Sequence, residues 1–220
     1  MSVATTTEYG PEAPGSMAEQ AYLLLRDRLT VLEIRPGAMI QDAHLAAELG
    51  IGRTPVREAL KRLETDHLVV SYPRRGTFAT QVDITALSDV SELRRNLEPL
   101  AARKAALAAA PPARQQMQDL ARDLAGGAPT NQGFMRADLQ VHRLIYRATG
   151  NAHLEEALVR LDNLATRIWC LVLDRVPTVG GHVHEHVALL EAIADGRAEE
   201  AAELALEHVT SFEHTMRGIL

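Results

Sequence analysis

The sequence predicts a mainly α-helical protein with two parts. The first is an N-terminal winged helix-turn-helix, with three helices and a β-hairpin wing, and the second is an antiparallel six-helix bundle. Three observations support this: a tight turn leads into an amphipathic helix with a basic face, a β-rich hairpin pattern follows it, and beyond residue 83 apolar residues recur only at helical spacing. The 220 residues are enough for two modest domains.

The first elements follow a polar N-terminal stretch. Residues 1–16 hold Gly-Pro and Pro-Gly pairs and few large apolar side chains, which predicts a disordered tail. The winged helix-turn-helix is predicted over residues 17–82. Its first helix covers Ala21–Leu32, and its second begins at an N-cap, Asp42, and ends at Gly50.

The third helix is predicted to start with Thr54 as its N-cap and Pro55 in the first helical position, where a missing N–H costs nothing. Its apolar face is formed by Val56, Ala59, Leu60 and Leu63. Its basic residues lie elsewhere, at Arg53, Arg57, Lys61 and Arg62. Such a helix suits insertion into the DNA major groove, although an ordinary surface helix has the same pattern.

The wing is predicted as strands Leu68–Tyr72 and Thr77–Thr80, joined by a turn that contains two arginines. The net charge of −6 is unusual for a DNA-binding protein, and residues 1–83 alone carry 9 Lys+Arg against 11 Asp+Glu, net −2. Positive charge is concentrated between Arg53 and Arg75, and local clustering is what a docking surface needs.

These residues carry a family resemblance. The segments concerned are Pro36-Gly37, Leu45-Ala46, Leu49-Gly50, Arg53-Thr-Pro-Val-Arg-Glu-Ala-Leu60, Leu63-Glu64 and Pro73-Arg-Arg-Gly76. Together they resemble the GntR family of bacterial transcription regulators. The resemblance implies operator binding by a homodimer, with DNA contacts at Arg53, Thr54, Arg57, Arg74, Arg75 and Gly76. One departure is Ala43, where many relatives carry an arginine.

Residues 83–220 are predicted to form the bundle. Its helices are expected at Ile84–Ala109, Ala113–Ala125, Asn131–Thr149, His153–Arg175, Gly181–Ala194 and Ala198–Arg217. Six helices in this arrangement resemble the FCD domain, the ligand-sensing domain of the FadR branch of the family.

Four polar residues of the bundle suggest a metal site. Asp138 and His142 are four residues apart and share a helix face, while a hairpin can bring His186 level with His208. The four match the metal-binding subset of FCD domains, which implies a divalent ion, Zn²⁺ first and Ni²⁺ or Mn²⁺ as alternatives. Each histidine alone has a simpler interpretation as a satisfied core residue. His182 and His184 are interpreted as bystanders at the start of the helix.

The resemblance also implies an effector site for a small organic acid. Relatives carry an arginine that faces the effector cavity, and here it is Arg94, whose guanidinium could hold a carboxylate in a bidentate pair. The alternative is an exposed ion pair between Arg94 and Glu98, four residues apart. Arg167 and Trp169 are further candidates from helix phase.

The sequence therefore predicts a cytoplasmic, ligand-responsive transcription regulator, a repressor that a small carboxylate bound beside a metal releases from double-stranded operator DNA. One cysteine, Cys170, excludes an internal disulfide and suits a reducing compartment, and no apolar run has the ~20 residues of a membrane helix. The alternatives are a sensor whose effector is the metal itself, and a metal-dependent hydrolase using Asp138, His142, His186 and His208. An enzyme is not expected, because no general base is marked by spacing.

Overall fold

The structure, a computed structural model, describes residues 15–126, 131–175 and 180–220. The predicted tail therefore lies almost wholly outside the described residues. Contacts divide the chain into two units, the first made of the described residues up to Leu29 together with Gly37–Thr80, and the second of Thr30–Pro36 and Gln81–Leu220. The predicted domain limits of 17–82 and 83–220 stay a prediction, and they do not anticipate that Thr30–Pro36 belongs with the second unit.

The first unit is a winged helix-turn-helix, as predicted. Its elements are α1 (Met17–Thr30), β1 (Met39–Ile40), α2 (Asp42–Leu49), α3 (Arg53–Thr65), β2 (Val69–Tyr72) and β3 (Gly76–Ala79). The sheet is antiparallel with strand order β1-β3-β2, and Met39 lies opposite Phe78 in its register. The sequence did not predict β1, because two residues are too few for an alternating pattern.

The helix caps differ from the prediction at two positions. The N-cap of α3 is Gly52, and Thr54 is already the second helical residue, so its assignment as the cap was wrong. The N-cap of α2 is Gln41, and Asp42 is the first helical residue, where a carboxylate is stabilised by the helix dipole. Gly50 ends α2 as predicted, because its φ of 64° is the left-handed conformation that glycine adopts without strain.

The second unit is helical, as predicted. Its helices are α4 (Leu87–Ala108), α5 (Pro111–Ala125), α6 (Asn131–Ala148), α7 (Ala152–Val172), α8 (Gly180–Ala194) and α9 (Ala198–Ile219). Short 3₁₀ turns precede α4 and follow α7, and the Asp83 carboxylate accepts a bond from the Thr85 N–H at the first of them. Most helix ends lie within two or three residues of the prediction, because Gly and Pro mark them in the sequence.

Small side chains let α4 and α9 pack closely. Ala101, Ala105 and Ala201 are completely buried where the two helices meet. The helices are antiparallel, since Arg103 near the end of α4 pairs with Glu199 at the start of α9 at 2.6 Å. This packing brings His208 of α9 to the interior beside α6 and α8. No helix in the described ranges is long and apolar enough to cross a membrane.

Candidate DNA interface and metal centre

Helix α3 divides into a buried and an exposed face. Val56, Ala59 and Leu63 are fully buried and hold the helix on the rest of the winged unit. Arg53, Thr54 and Arg57 are exposed, so three of the predicted DNA-binding residues lie on one accessible surface. The amphipathic pattern read from the sequence therefore corresponds to the observed burial.

An acidic residue of α2 pairs with the arginines of α3. Arg53 Nη2 donates to Asp42 Oδ1 at 3.1 Å, and Arg57 Nε donates to Asp42 Oδ2. The hydrogen bond from Arg57, followed by that from Arg53, lowers the pKa of Asp42. The predicted interface thus contains one carboxylate held between two guanidinium groups, which the sequence alone did not indicate.

The wing presents the other three predicted DNA-binding residues. Arg74, Arg75 and Gly76 are exposed at the turn between β2 and β3. Arg74 has a φ of 63°, which is uncommon for a residue with a side chain. A Cβ at Gly76 would lie 3.2 Å from the Cε of Met39 on β1, and the φ of 99° would strain any other residue.

Four buried side chains from three helices converge inside the bundle. Asp138 and His142 come from α6, His186 from α8 and His208 from α9, and one candidate ligand atom of each lies within 4.8 Å of the others. Asp138 Oδ1 is 3.4 Å from His186 Nε2 and 3.9 Å from His142 Nε2. The i,i+4 spacing on α6 and the α8–α9 hairpin thus bring together the residues chosen from the sequence.

Carboxylates outside this group hold two of its histidines. His142 Nδ1 lies 3.3 Å from Glu98 Oε2, and His208 Nδ1 lies 2.8 Å from Glu185 Oε2. A carboxylate on one ring nitrogen fixes the imidazole tautomer and leaves the other nitrogen as a lone-pair donor, which is the usual support of a metal-bound histidine. His142 and His208 can therefore each offer Nε2.

The other candidate ligand atoms of the cluster lack hydrogen-bond partners in the described part of the chain. Asp138 Oδ1 and both ring nitrogens of His186 are buried and have no hydrogen-bond partner among the described residues. A buried polar atom left in this state costs about 1–3 kcal/mol. One carboxylate and three imidazoles suit a borderline divalent ion, so the residues fit a metal by donor type, burial and unmet bonding.

Burial and charge set the protonation of the cluster. Burial raises the pKa of Asp138 to about 6 and, with the neighbouring cations, lowers that of His186 well below its usual value. Burial alone would lower the pKa of His142, but the charges of Glu98, Asp162 and Asp138 and the hydrogen bond to Glu98 together outweigh it and raise the pKa to about 9. Occupation of the site by a metal must therefore displace a proton from His142 at neutral pH.

Comparison with known proteins identifies the two units. The profile of bacterial regulatory proteins, gntR family, matches residues 17–79, and that of the FCD domain matches residues 89–211. The chain belongs to the GntR family. Its FCD domain fits the FadR branch, and it is a transcriptional regulator rather than an enzyme, so the family prediction is confirmed and the hydrolase alternative is not supported.

Relatives of this GntR regulator match over most of their length. The Nta operon transcriptional regulator of Aminobacter aminovorans is 30% identical over 178 residues, which cover 80% of this chain and 82% of the relative. The HTH-type transcriptional repressor RspR of Escherichia coli K12 is 22% identical over 217 residues, covering 97% and 93%. The solved structure of E. coli McbR/YncC has a TM-score of 0.79 at 20% identity and covers 93% of this chain and 99% of its own, which shows a shared fold.

The predicted effector arginine of the FCD domain is buried. Arg94 is 3% exposed, its Nε donates to Glu98 Oε1 at 2.5 Å, and its Nη2 lies 3.6 Å from Asp162 Oδ1. The ion pair with Glu98 exists but is not exposed, so the alternative of a solvated surface pair was wrong. Through Glu98, Arg94 is linked to His142 and hence to the cluster.

The other two effector candidates, Arg167 and Trp169, both lie on α7 of the FCD domain. Trp169 is buried with its ring 4.6 Å from that of His182, beside the cluster, and its Nε1 lacks a hydrogen-bond partner in the described part of the chain. Arg167 is also buried, and burial lowers its pKa to about 10. Residues two apart on an α-helix point about 200° apart, so Arg167 and Trp169 do not share a face.

Sequence reasoning missed several functional neighbours. His182 was interpreted as a bystander, yet it is 5% exposed and its Nδ1 lies 3.1 Å from Glu185 Oε2. His184 is exposed, as expected for a bystander. The roles of Glu98 and Glu185 were also missed, although a glutamate four residues after Arg94 and another directly before His186 were available signals.

Proposed function

We propose that this GntR regulator is a repressor that binds operator DNA as a homodimer and is released by a small organic acid bound beside a metal ion in its FCD domain. The observation that carries the proposal is the buried cluster of Asp138, His142, His186 and His208, with ligand atoms within 4.8 Å of one another and partnerless donors on Asp138 and His186. A bacterial protein that binds operator DNA works in the cytoplasm.

The DNA contacts are assigned to two exposed surfaces of the winged unit. On α3, Arg53, Thr54 and Arg57 would reach base edges and phosphates in the major groove. On the wing, Arg74 and Arg75 would contact phosphates while Gly76 approaches the minor groove. Two copies in a symmetric dimer would contact two half-sites of the operator.

The metal assignment rests on donor chemistry. Asp138, His142, His186 and His208 would hold the ion, and Zn²⁺ suits this set best, with Ni²⁺ and Mn²⁺ as alternatives. When bound, the ion would offer a Lewis-acidic position to one oxygen of an effector carboxylate. Glu98 and Glu185 hold the outer nitrogens of His142 and His208, which fixes the orientation of those two rings.

The effector contacts are assigned to Arg94 and Trp169, and Arg167 stays a sequence prediction because it lies on a different face of α7 from Trp169. Arg94 carries a charge already matched by Glu98 and Asp162, so an anionic effector would exchange with one of these carboxylates. Trp169 would contribute its partnerless indole N–H as a donor. An effector changes operator affinity only by as much as it prefers one state of the dimer over another.

The test measures operator affinity with the metal and the acid varied separately. The operator is first selected from a random DNA pool with the full-length protein, and Kd is then measured by fluorescence anisotropy at one salt concentration. We expect members of a panel of small carboxylates to weaken binding at least tenfold in zinc-loaded protein and to have no effect after chelation. Release by zinc alone would support the metal sensor instead, and no response to any acid would contradict the proposal.

A further inference from the structure

The predicted DNA surface holds a carboxylate to which the contacts proposed above give no role. Asp42 uses both oxygens on arginines of α3: Arg53 Nη2 lies 3.1 Å and 3.3 Å from them, and Arg57 Nε donates to the second. Asp42 is the least exposed of the three, with 23% of its side chain accessible against 56% for Arg53 and 61% for Arg57. The arginines therefore reach outwards from a carboxylate held between α2 and α3.

Stability does not account for this arrangement. Exposed ion pairs contribute only about 0–1 kcal/mol to folding. A negative charge beside DNA also repels phosphate, and the residues up to 83 are already net negative by two charges. A carboxylate at this position lowers general affinity for DNA. Its benefit must therefore come from the orientation that it imposes on the two arginines.

That geometry suits base recognition. When Asp42 accepts from Arg57 Nε, the guanidinium plane is fixed and its two terminal nitrogens remain as a fork. A guanine edge presents two acceptors, O6 and N7, which match such a fork. An arginine without this anchor keeps its rotamer freedom and is equally able to turn towards a phosphate.

We propose that Asp42 is a specificity-determining positioning residue, which holds the terminal fork of Arg57 for base recognition, restrains Arg53 through its Nη2, and disfavours the use of both arginines on phosphates of unrelated DNA. The inference rests on the assignment of Arg53 and Arg57 to the DNA interface. The Asp42 side chain would thus raise the affinity for the operator and lower the affinity for unrelated DNA.

The test is the ratio of non-specific to operator Kd in full-length variants, with no acid added. The probes are the duplex selected from a random pool by the wild-type protein and a scrambled duplex of the same composition. Asp42→Asn should lower the ratio threefold or more, with weaker operator binding and unchanged or stronger binding to the scrambled duplex. Asp42→Glu, which keeps the carboxylate, should restore part of the ratio.

The control removes a charge from the same helix. Glu48 pairs with Arg28 at 2.9 Å, whereas Arg53 and Arg57 pair with Asp42, so Glu48→Gln should keep the wild-type ratio. A change below threefold in Asp42→Asn, or an equal fall in Glu48→Gln, overturns the inference. The variant Arg57→Ala separates this inference from the assignment of the DNA interface. A wild-type Kd ratio in Arg57→Ala would contradict the interface itself. A reduced ratio in Arg57→Ala together with a wild-type ratio in Asp42→Asn would overturn only the role of Asp42.

Discussion

The candidate sites of the two units of this regulator place their charged groups in opposite environments. In the winged unit the charged groups of α3 are exposed, and Arg53 and Arg57 are matched by one nearby carboxylate. In the FCD domain the charged groups in and around the cluster are buried, and Asp138 and His186 keep ligand atoms without hydrogen-bond partners among the described residues. An exposed ion pair can exchange partners at little cost, but a buried donor without a partner is destabilising until something binds it.

The difference indicates how each surface would work. The exposed arginines of the winged unit can turn their remaining N–H donors to DNA with little cost in stability, because exposed ion pairs contribute little to folding. The FCD cluster is rigidly supported by Glu98 and Glu185, and it has unmet bonding that an ion would satisfy. Substitutions in the first unit should therefore alter binding with little change in stability, whereas substitutions in the second should alter both.

The largest expected effect is on operator binding. Arg57→Ala should abolish specific binding, with at least a hundredfold loss, while the melting temperature stays within about 2 °C because the side chain is exposed. Arg53→Ala should cost about 1–3 kcal/mol if its contact is to a base. Anisotropy titrations and thermal melts at fixed salt measure both. Operator affinity of the wild-type level in Arg57→Ala would contradict the interface.

The second effect is on metal-dependent stability. His186 is fully buried without a hydrogen-bond partner in the described part of the chain, so His186→Ala removes no hydrogen bond from the metal-free protein. A ligand at a hundred times its Kd adds about 2.7 kcal/mol, which corresponds to roughly 5–10 °C in Tm for a chain of this size. We expect Zn²⁺ to raise the Tm of the wild type by this amount and that of His186→Ala by much less. His184→Ala, which changes an exposed residue of the same helix, is the control and should respond as the wild type does.

The third effect is on the response to acid. Arg94→Ala leaves Glu98 and Asp162 buried without their cation, so it should lose about 3–5 kcal/mol of stability. Arg94→Lys keeps the charge and removes the planar fork, and it is the better probe. We expect Arg94→Lys to retain operator affinity but to need about tenfold more acid for release. An unchanged acid response in Arg94→Lys would mean that Arg94 is structural.

The smallest effect is on pH dependence. Burial alone would raise the pKa of Glu98, but the charges of Arg94 and His142 hold it well below its usual range. A depressed pKa contributes stability above the unfolded value near 4.3, and this stability is lost as pH falls. Chelated protein should lose up to about 1.4 kcal/mol per pH unit below pH 4 from this group, and Glu98→Gln should flatten that slope in urea denaturation. Equal slopes of unfolding free energy against pH in the wild type and in Glu98→Gln would contradict the depressed pKa of Glu98.

The sequence predicted the fold and the identity of the clustered residues, because both depend on local spacing. Gly50 marked the turn before α3, and Asp138 and His142 share a face of α6 by their separation. The network around them was not predictable. Pairings such as Glu98 with His142 and Glu185 with His208 join different helices, and only the packing of α4, α6, α8 and α9 decides which glutamate meets which imidazole.

The misassigned features have the same cause. Asp42 and Thr54 were interpreted as caps from their residue type, but Gln41, directly after β1, and Gly52, in the turn before α3, occupy the cap positions. His182 was interpreted as a bystander because three histidines alternate at the start of α8, and the sequence does not reveal that Trp169 of α7 covers this one.

The central claim is that the buried cluster binds a metal, and native mass spectrometry of the full-length protein dialysed against a trace of Zn²⁺ tests it most directly. We predict one divalent ion per chain in the wild type and in His184→Ala, and none in His186→Ala or His208→Ala, with all four proteins of the same oligomeric state. Equal metal content in all four, or none in the wild type, would contradict the claim.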